Sequence, residues 1–95
     1  MQFRPGVSLT FNNAQTVLET GLRAIADGQA EFDLAELTAV DSAAVSTMLA
    51  WLRAARKAGG TLVFRNLPAN LQSLIQLYGV GELLQTHARD DLPHH

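Results

Sequence analysis

Leu34–Trp51 reads LAELTAVDSAAVSTMLAW, and the fold turns on where this stretch changes period. Just ahead of it, Ala30, Phe32 and Leu34 alternate with Glu31 and Asp33. That two-residue alternation is the pattern of a half-buried strand. Past a loop of mixed polarity, Val40-Asp41-Ser42 opens a segment in which Val45, Met48, Leu49, Leu52 and Ala55 recur every three or four residues. Such spacing lines one face of a helix with apolar side chains, and it predicts a helix over Ser42–Ala58. Asp41 or Ser42 can cap its start, because a short oxygen-bearing side chain satisfies a first-turn N–H. Gly59-Gly60 ends it, and Thr61–Phe64 is a short, apolar, β-rich run. A strand, a helix and a second strand in this order give parallel strands joined by a right-handed crossover.

The alternation continues in both directions. Val7–Phe11 sets Val7, Leu9 and Phe11 against Ser8 and Thr10. Asn13–Ala26 then places Ala14, Val17, Leu18, Gly21, Leu22 and Ile25 on one helical face, with Asn12 or Asn13 as its cap. Gln2–Arg4 is expected to pair with Val7–Thr10 through a Pro5-Gly6 turn. On the C-terminal side, Pro68–Tyr78 turns Leu71, Leu74, Ile75 and Tyr78 inward, and Glu82–Gln85 adds a last turn. Glycines at Gly28, Gly59 and Gly79 mark the three helix ends. The order β(β)αβαβα predicts an α/β domain: a mixed, mainly parallel sheet of about four strands with helices packed against it. Residues 1–85 are expected to form a single domain and 86–95 a flexible C-terminal tail. The expected core is Leu22, Ile25, Phe32, Leu49, Leu52, Val63 and Leu74.

Ninety-five residues support one modest core. The chain has no cysteine, which excludes a disulfide scaffold and a thiolate zinc site. No apolar run is long enough to span a bilayer, and Met1–Gly6 does not read as a secretory signal. A cytoplasmic protein is expected. Seven basic and nine acidic residues leave a net charge of −2, against nucleic-acid binding, which needs a concentrated basic surface. Arg53, Arg56 and Lys57 form the one basic cluster, which reads as a solvated last helical turn where cations suit the negative dipole end.

Catalytic chemistry finds little purchase in this sequence. Ser42 follows Asp41, but His87, His94 and His95 all fall in the tail. A triad needs its base held within hydrogen-bond reach by a third group, so no enzyme is expected. Gly59-Gly60 follows a helix and precedes a strand, the reverse of a phosphate-binding loop. No cofactor and no metal site is expected. The remaining candidate is a binding surface at the helix start, since parallel α/β sheets place sites where strand ends feed helices. Asp41 and Ser42 stand there, followed at helical spacing by Ser46, Thr47 and Trp51. Each has a plain alternative: Asp41 as an N-cap, Ser42 as a capping or solvated hydroxyl, and Trp51 as a cover for the sheet edge or packing beneath the third helix. A large aromatic beside small polar residues also suits an interface.

Val40-Asp41-Ser42-Ala43-Ala44-Val45, set in this element order, resembles the STAS domain family, named for sulfate transporters and anti-sigma factor antagonists. The family pattern there is an apolar residue, Asp, Ser or Thr, Ser or Ala, Gly, then Leu or Val. Leu49–Gly60 with Thr61–Phe64, and Asn66-Leu67-Pro68 through Leu84, extend the resemblance over about residues 5–85. Two positions depart from it. Where the anti-sigma antagonists carry their phosphorylated Ser, this chain has Ala43, and the usual Gly is Ala44. A hydroxyl followed by Ala is instead similar to the STAS subunit of bacterial Mla-type phospholipid-transporting ABC complexes. The resemblance implies a non-catalytic subunit that binds the cytoplasmic ATPase (MlaF-like) of such a transporter through Asp41, Ser42, Ser46 and Trp51. Membrane contact would then be indirect, through the complex. The alternative it leaves open is an anti-sigma factor antagonist acting by partner switching.

Overall fold

Packing of four aromatic rings, three of them fully buried, organises the molecule. In a computed structural model describing residues 3–84, Phe3, Phe32, Trp51 and Phe64 form one cluster. The Phe32 ring meets Phe3 at 4.6 Å and Trp51 at 4.9 Å between centroids, the latter edge to face. Trp51 and Phe64 stack at 6.5 Å. Such pairs contribute about 0.5–1.5 kcal/mol each beyond the area they bury.

The elements around this cluster are β1 (Ser8–Leu9), α1 (Ala14–Ala26), β2 (Glu31–Asp33), β3 (Ala39–Val40), α2 (Ser42–Lys57), β4 (Val63–Arg65), α3 (Ala69–Tyr78) and α4 (Gly81–Leu84). The α/β alternation and the parallel pairing expected from sequence are both present. β2 pairs with β4 in parallel, Phe32 opposite Phe64, and β1 pairs in parallel with β3, Leu9 opposite Val40. The expected single sheet is divided into these two short ladders, and β3 lies in what read as loop. Helices end where the glycines predicted: Gly79 takes the left-handed conformation at φ 68°, which costs a residue without Cβ nothing.

The N-terminal segment corrects the predicted hairpin. Phe3 bridges Phe32 in parallel, its N–H donating to Glu31 O and its carbonyl accepting from Asp33 N. Pro5-Gly6 carries the chain onward instead of back, and the Val7 carbonyl accepts from Thr38 N and Ala39 N. Burying the Phe3 ring against Phe32 outweighs a two-stranded turn that would leave it in water.

The buried faces of α1 and α2 are shifted from their expected positions. On α2 the buried residues are Ala44, Val45, Thr47, Met48, Trp51, Leu52 and Ala55, whereas Leu49 is only half-buried. Trp51 is fully buried, and its indole Nε1–H donates to the Leu18 carbonyl at 3.0 Å. Thr47 goes inward because its hydroxyl donates to Ala43 O at 2.8 Å, leaving a methyl to pack. On α1 the buried line is Val17, Gly21 and Ala24, with Leu22 and Ile25 at its margin. The α1–α2 contact sets both rotations, because Gly21 offers no Cβ where the indole of Trp51 lies. Val63 and Leu74 are also partly exposed, while Phe32 and Leu52 are buried as expected. On α3, Tyr78 points outward with 51% of its surface exposed, because the helix ends there.

At the carboxyl ends of β2 and β4, Asp33 is buried despite its charge. Its Oδ1 accepts from Asn66 Nδ2 at 3.1 Å and Ala35 N at 3.0 Å, and Arg4 Nε lies 3.6 Å from Oδ2. The Asn66 hydrogen bond, then that of Ala35, hold its pKa below the ordinary aspartate value against the opposing effect of burial. Asn66 reaches it from a left-handed backbone, φ 60°, which Asn tolerates better than most side chains. The tail 86–95, with its three histidines, lies outside the described residues.

Candidate functional site

The site assembles where β1 and β3 end side by side. Both strands point their carboxyl ends at the start of α2, and Asp41 fastens the junction. Its Oδ1 accepts from Ala43 N at 2.9 Å, capping the helix, and its Oδ2 accepts from Phe11 N at 3.0 Å in the β1–α1 loop. One carboxylate thus ties two loops separated by thirty residues to one helix terminus. On the other side of that loop, Asn13 accepts from Thr10 N and donates to the Ser8 carbonyl and hydroxyl. The loop so held leaves Phe11 with 85% of its surface exposed, not turned inward as its alternation suggested.

Ser42, the first residue of α2, is exposed, and so is Ser46 one turn later. Asp41 performs the capping, so the Ser42 hydroxyl is not needed for that purpose. The two serines stand along an open groove of about 480 Å³, lined also by Val45, Leu49, Tyr78 and Val80. Its floor and far wall are apolar, and its lip is a helix start of small side chains. The arrangement suits docking of a protein segment, since small residues admit close approach and an exposed Tyr supplies an amphipathic contact.

Of the four residues singled out from sequence, the structure brings Asp41, Ser42 and Ser46 to one locality. Trp51 is corrected: it is wholly inside, against Gly21 and the aromatic cluster, and cannot touch a partner. Leu49, Tyr78 and Val80, which sequence reading assigned to the core or left aside, form the groove instead. The one available signal was Tyr78-Gly79, since a helix that stops at its last aromatic cannot carry it under a neighbour.

Two short parallel ladders packed with helices, with an exposed helix start beside an apolar groove, define the class: a small α/β domain. The family profile described as "Mlab, STAS domain" matches residues 7–85, and the chain belongs to this STAS family. Members of the STAS family are generally non-catalytic interaction domains. No curated protein gives a significant match to the chain. Among the described residues no helix is long and apolar enough to cross a membrane.

Proposed function

We propose that this chain is the non-catalytic STAS subunit that binds and supports the cytoplasmic ATPase of a bacterial phospholipid-transporting ABC transporter of the Mla type, which maintains outer-membrane lipid asymmetry. In that role it lies on the cytoplasmic side and meets the inner membrane only through the complex. The observation that carries the reading is the hydroxyl pattern of the first helical turn. Ser42 is exposed at the groove lip, whereas Ala43, in the position a phospho-switch would use, has no hydroxyl. A partner-switching anti-sigma antagonist needs its acceptor at that second position.

Ser42→Arg tests the reading. The guanidinium would have to be desolvated at the interface, which is costly for an unpaired charge. The variant should lose co-purification with the ATPase subunit while its melting temperature stays nearly unchanged, lowered at most by a few degrees by a cation at the helix start, because Ser42 is exposed and Asp41 does the capping. Glu19→Arg, on the exposed side of α1, should bind as wild type. Co-purification of Ser42→Arg at wild-type yield would refute docking at this face. Stoichiometric phosphorylation of Ser42 by a partner kinase would favour the regulator.

A further inference from the structure

The exposed face of α2 changes character along its length. Ser42, Ser46 and Leu49 occupy its first half, and Arg53, Arg56 and Lys57 its second. At 100° per residue these six fall within one arc about 100° wide, opposite Ala44, Met48, Trp51 and Ala55. The helix has no acidic residue. Arg4 and Arg65 each pair with a carboxylate, whereas Arg53, Arg56 and Lys57 make no ion pair among the described residues. All three cations are exposed. The helix C-terminal dipole favours positive charge there, but three cations on one continuous stripe with an apolar groove leave a surface whose polarity has a direction.

We propose that the segment docking on this face is an amphipathic helix with an acidic end. Its apolar side chains enter the groove between Leu49 and Tyr78, and its carboxylates lie over Arg53, Arg56 and Lys57. The α2 stripe runs about 22 Å, enough for four turns of a partner helix. The proposal rests on the ATPase-binding reading above and adds the chemistry and register of the partner. Charges at such a rim steer association and fix register more than they add affinity in salt.

The test measures binding of the co-expressed ATPase subunit to the full chain between about 50 and 500 mM salt. Wild-type affinity should fall with salt. Arg53→Glu/Arg56→Glu should bind about tenfold more weakly at the low end and no longer weaken as salt rises, since like charges then face each other and salt screens their repulsion. Its melting temperature should fall by only a few degrees, the loss of favourable charge at the helix C-terminus, because both side chains are exposed. If the double variant binds as wild type while Ser42→Arg does not, the electrostatic register is overturned and the docking face stands. If wild type does not bind the ATPase at any salt, both readings fall. Sedimentation with phosphatidylglycerol vesicles supplies the other arm. Wild-type binding that the double variant loses would assign the cations to a lipid surface and overturn the acidic-helix partner.

Discussion

Gly21→Ala probes the packing that aims α2. Gly21 is buried in α1, and a methyl group there would overlap the Cε2 and Nε1 atoms of Trp51. The indole has nowhere to go. It is fully buried, its Nε1–H is committed to Leu18 O, and Phe32 and Phe64 close on its other faces. Either the ring leaves its rotamer and its hydrogen bond, or α1 lifts from α2. Overpacking of this kind costs about 1–3 kcal/mol, and an overlap with a fixed ring belongs at the top of that range. Alanine's better helix propensity offsets about 1 kcal/mol. A net loss of about 2 kcal/mol should lower the melting temperature by about 8–16 °C in a domain this size. Thermal and urea denaturation followed by the fluorescence of the single tryptophan measures it. In a Trp51→Phe background, where the overlapping indole nitrogen is gone, the same substitution should cost at least about 0.5 kcal/mol less. A Gly21→Ala protein as stable as wild type would refute the close α1–α2 approach, and with it the burial of Trp51.

Two further predictions concern carboxylates. Asp33 has a lowered pKa in the folded state, so it contributes stability above the unfolded value of about 3.9 that is lost as pH falls through the folded value. The difference in melting temperature between wild type and Asp33→Asn should therefore be largest near neutral pH and shrink below about pH 4; a constant difference across that range would show the effect is not ionic. Asp41→Ala removes the α2 cap and the acceptor for Phe11 N, and should cost about 1–2 kcal/mol in urea denaturation; Asp41→Asn should restore only part of it, because its single amide oxygen can accept from Ala43 N or from Phe11 N but not from both. An unchanged urea midpoint for the alanine variant would mean that water replaces both bonds without loss.

Whereas β3 and the course of the N-terminal segment were not legible in the sequence, the three long helices, the strands Glu31–Asp33 and Val63–Arg65 with their parallel pairing, and the capping role of Asp41 were. They follow from periodicity, glycine stops and a cap that acts within two residues of itself, all of which are near-neighbour physics. The same local reading puts Ser42 and Ser46 on the first turns of α2, where both are exposed. Trp51 was not placed, because nothing in Leu34–Trp51 states that Gly21, thirty positions away in the chain, leaves room for an indole and that Leu18 supplies its acceptor. Phe3 joined β2 for a similar reason, since its ring gains more among Phe32 and Trp51 than in a local hairpin. Asp33 read as a solvent-facing position because its partner, Asn66, lies on another strand's end. The groove is also tertiary: Tyr78 belongs to α3, Val80 follows it, and Leu49 belongs to α2, so no single periodicity contains it. Local sequence fixes which elements form, but which face each one buries is decided by the steric fit of neighbours that the chain brings together only on folding.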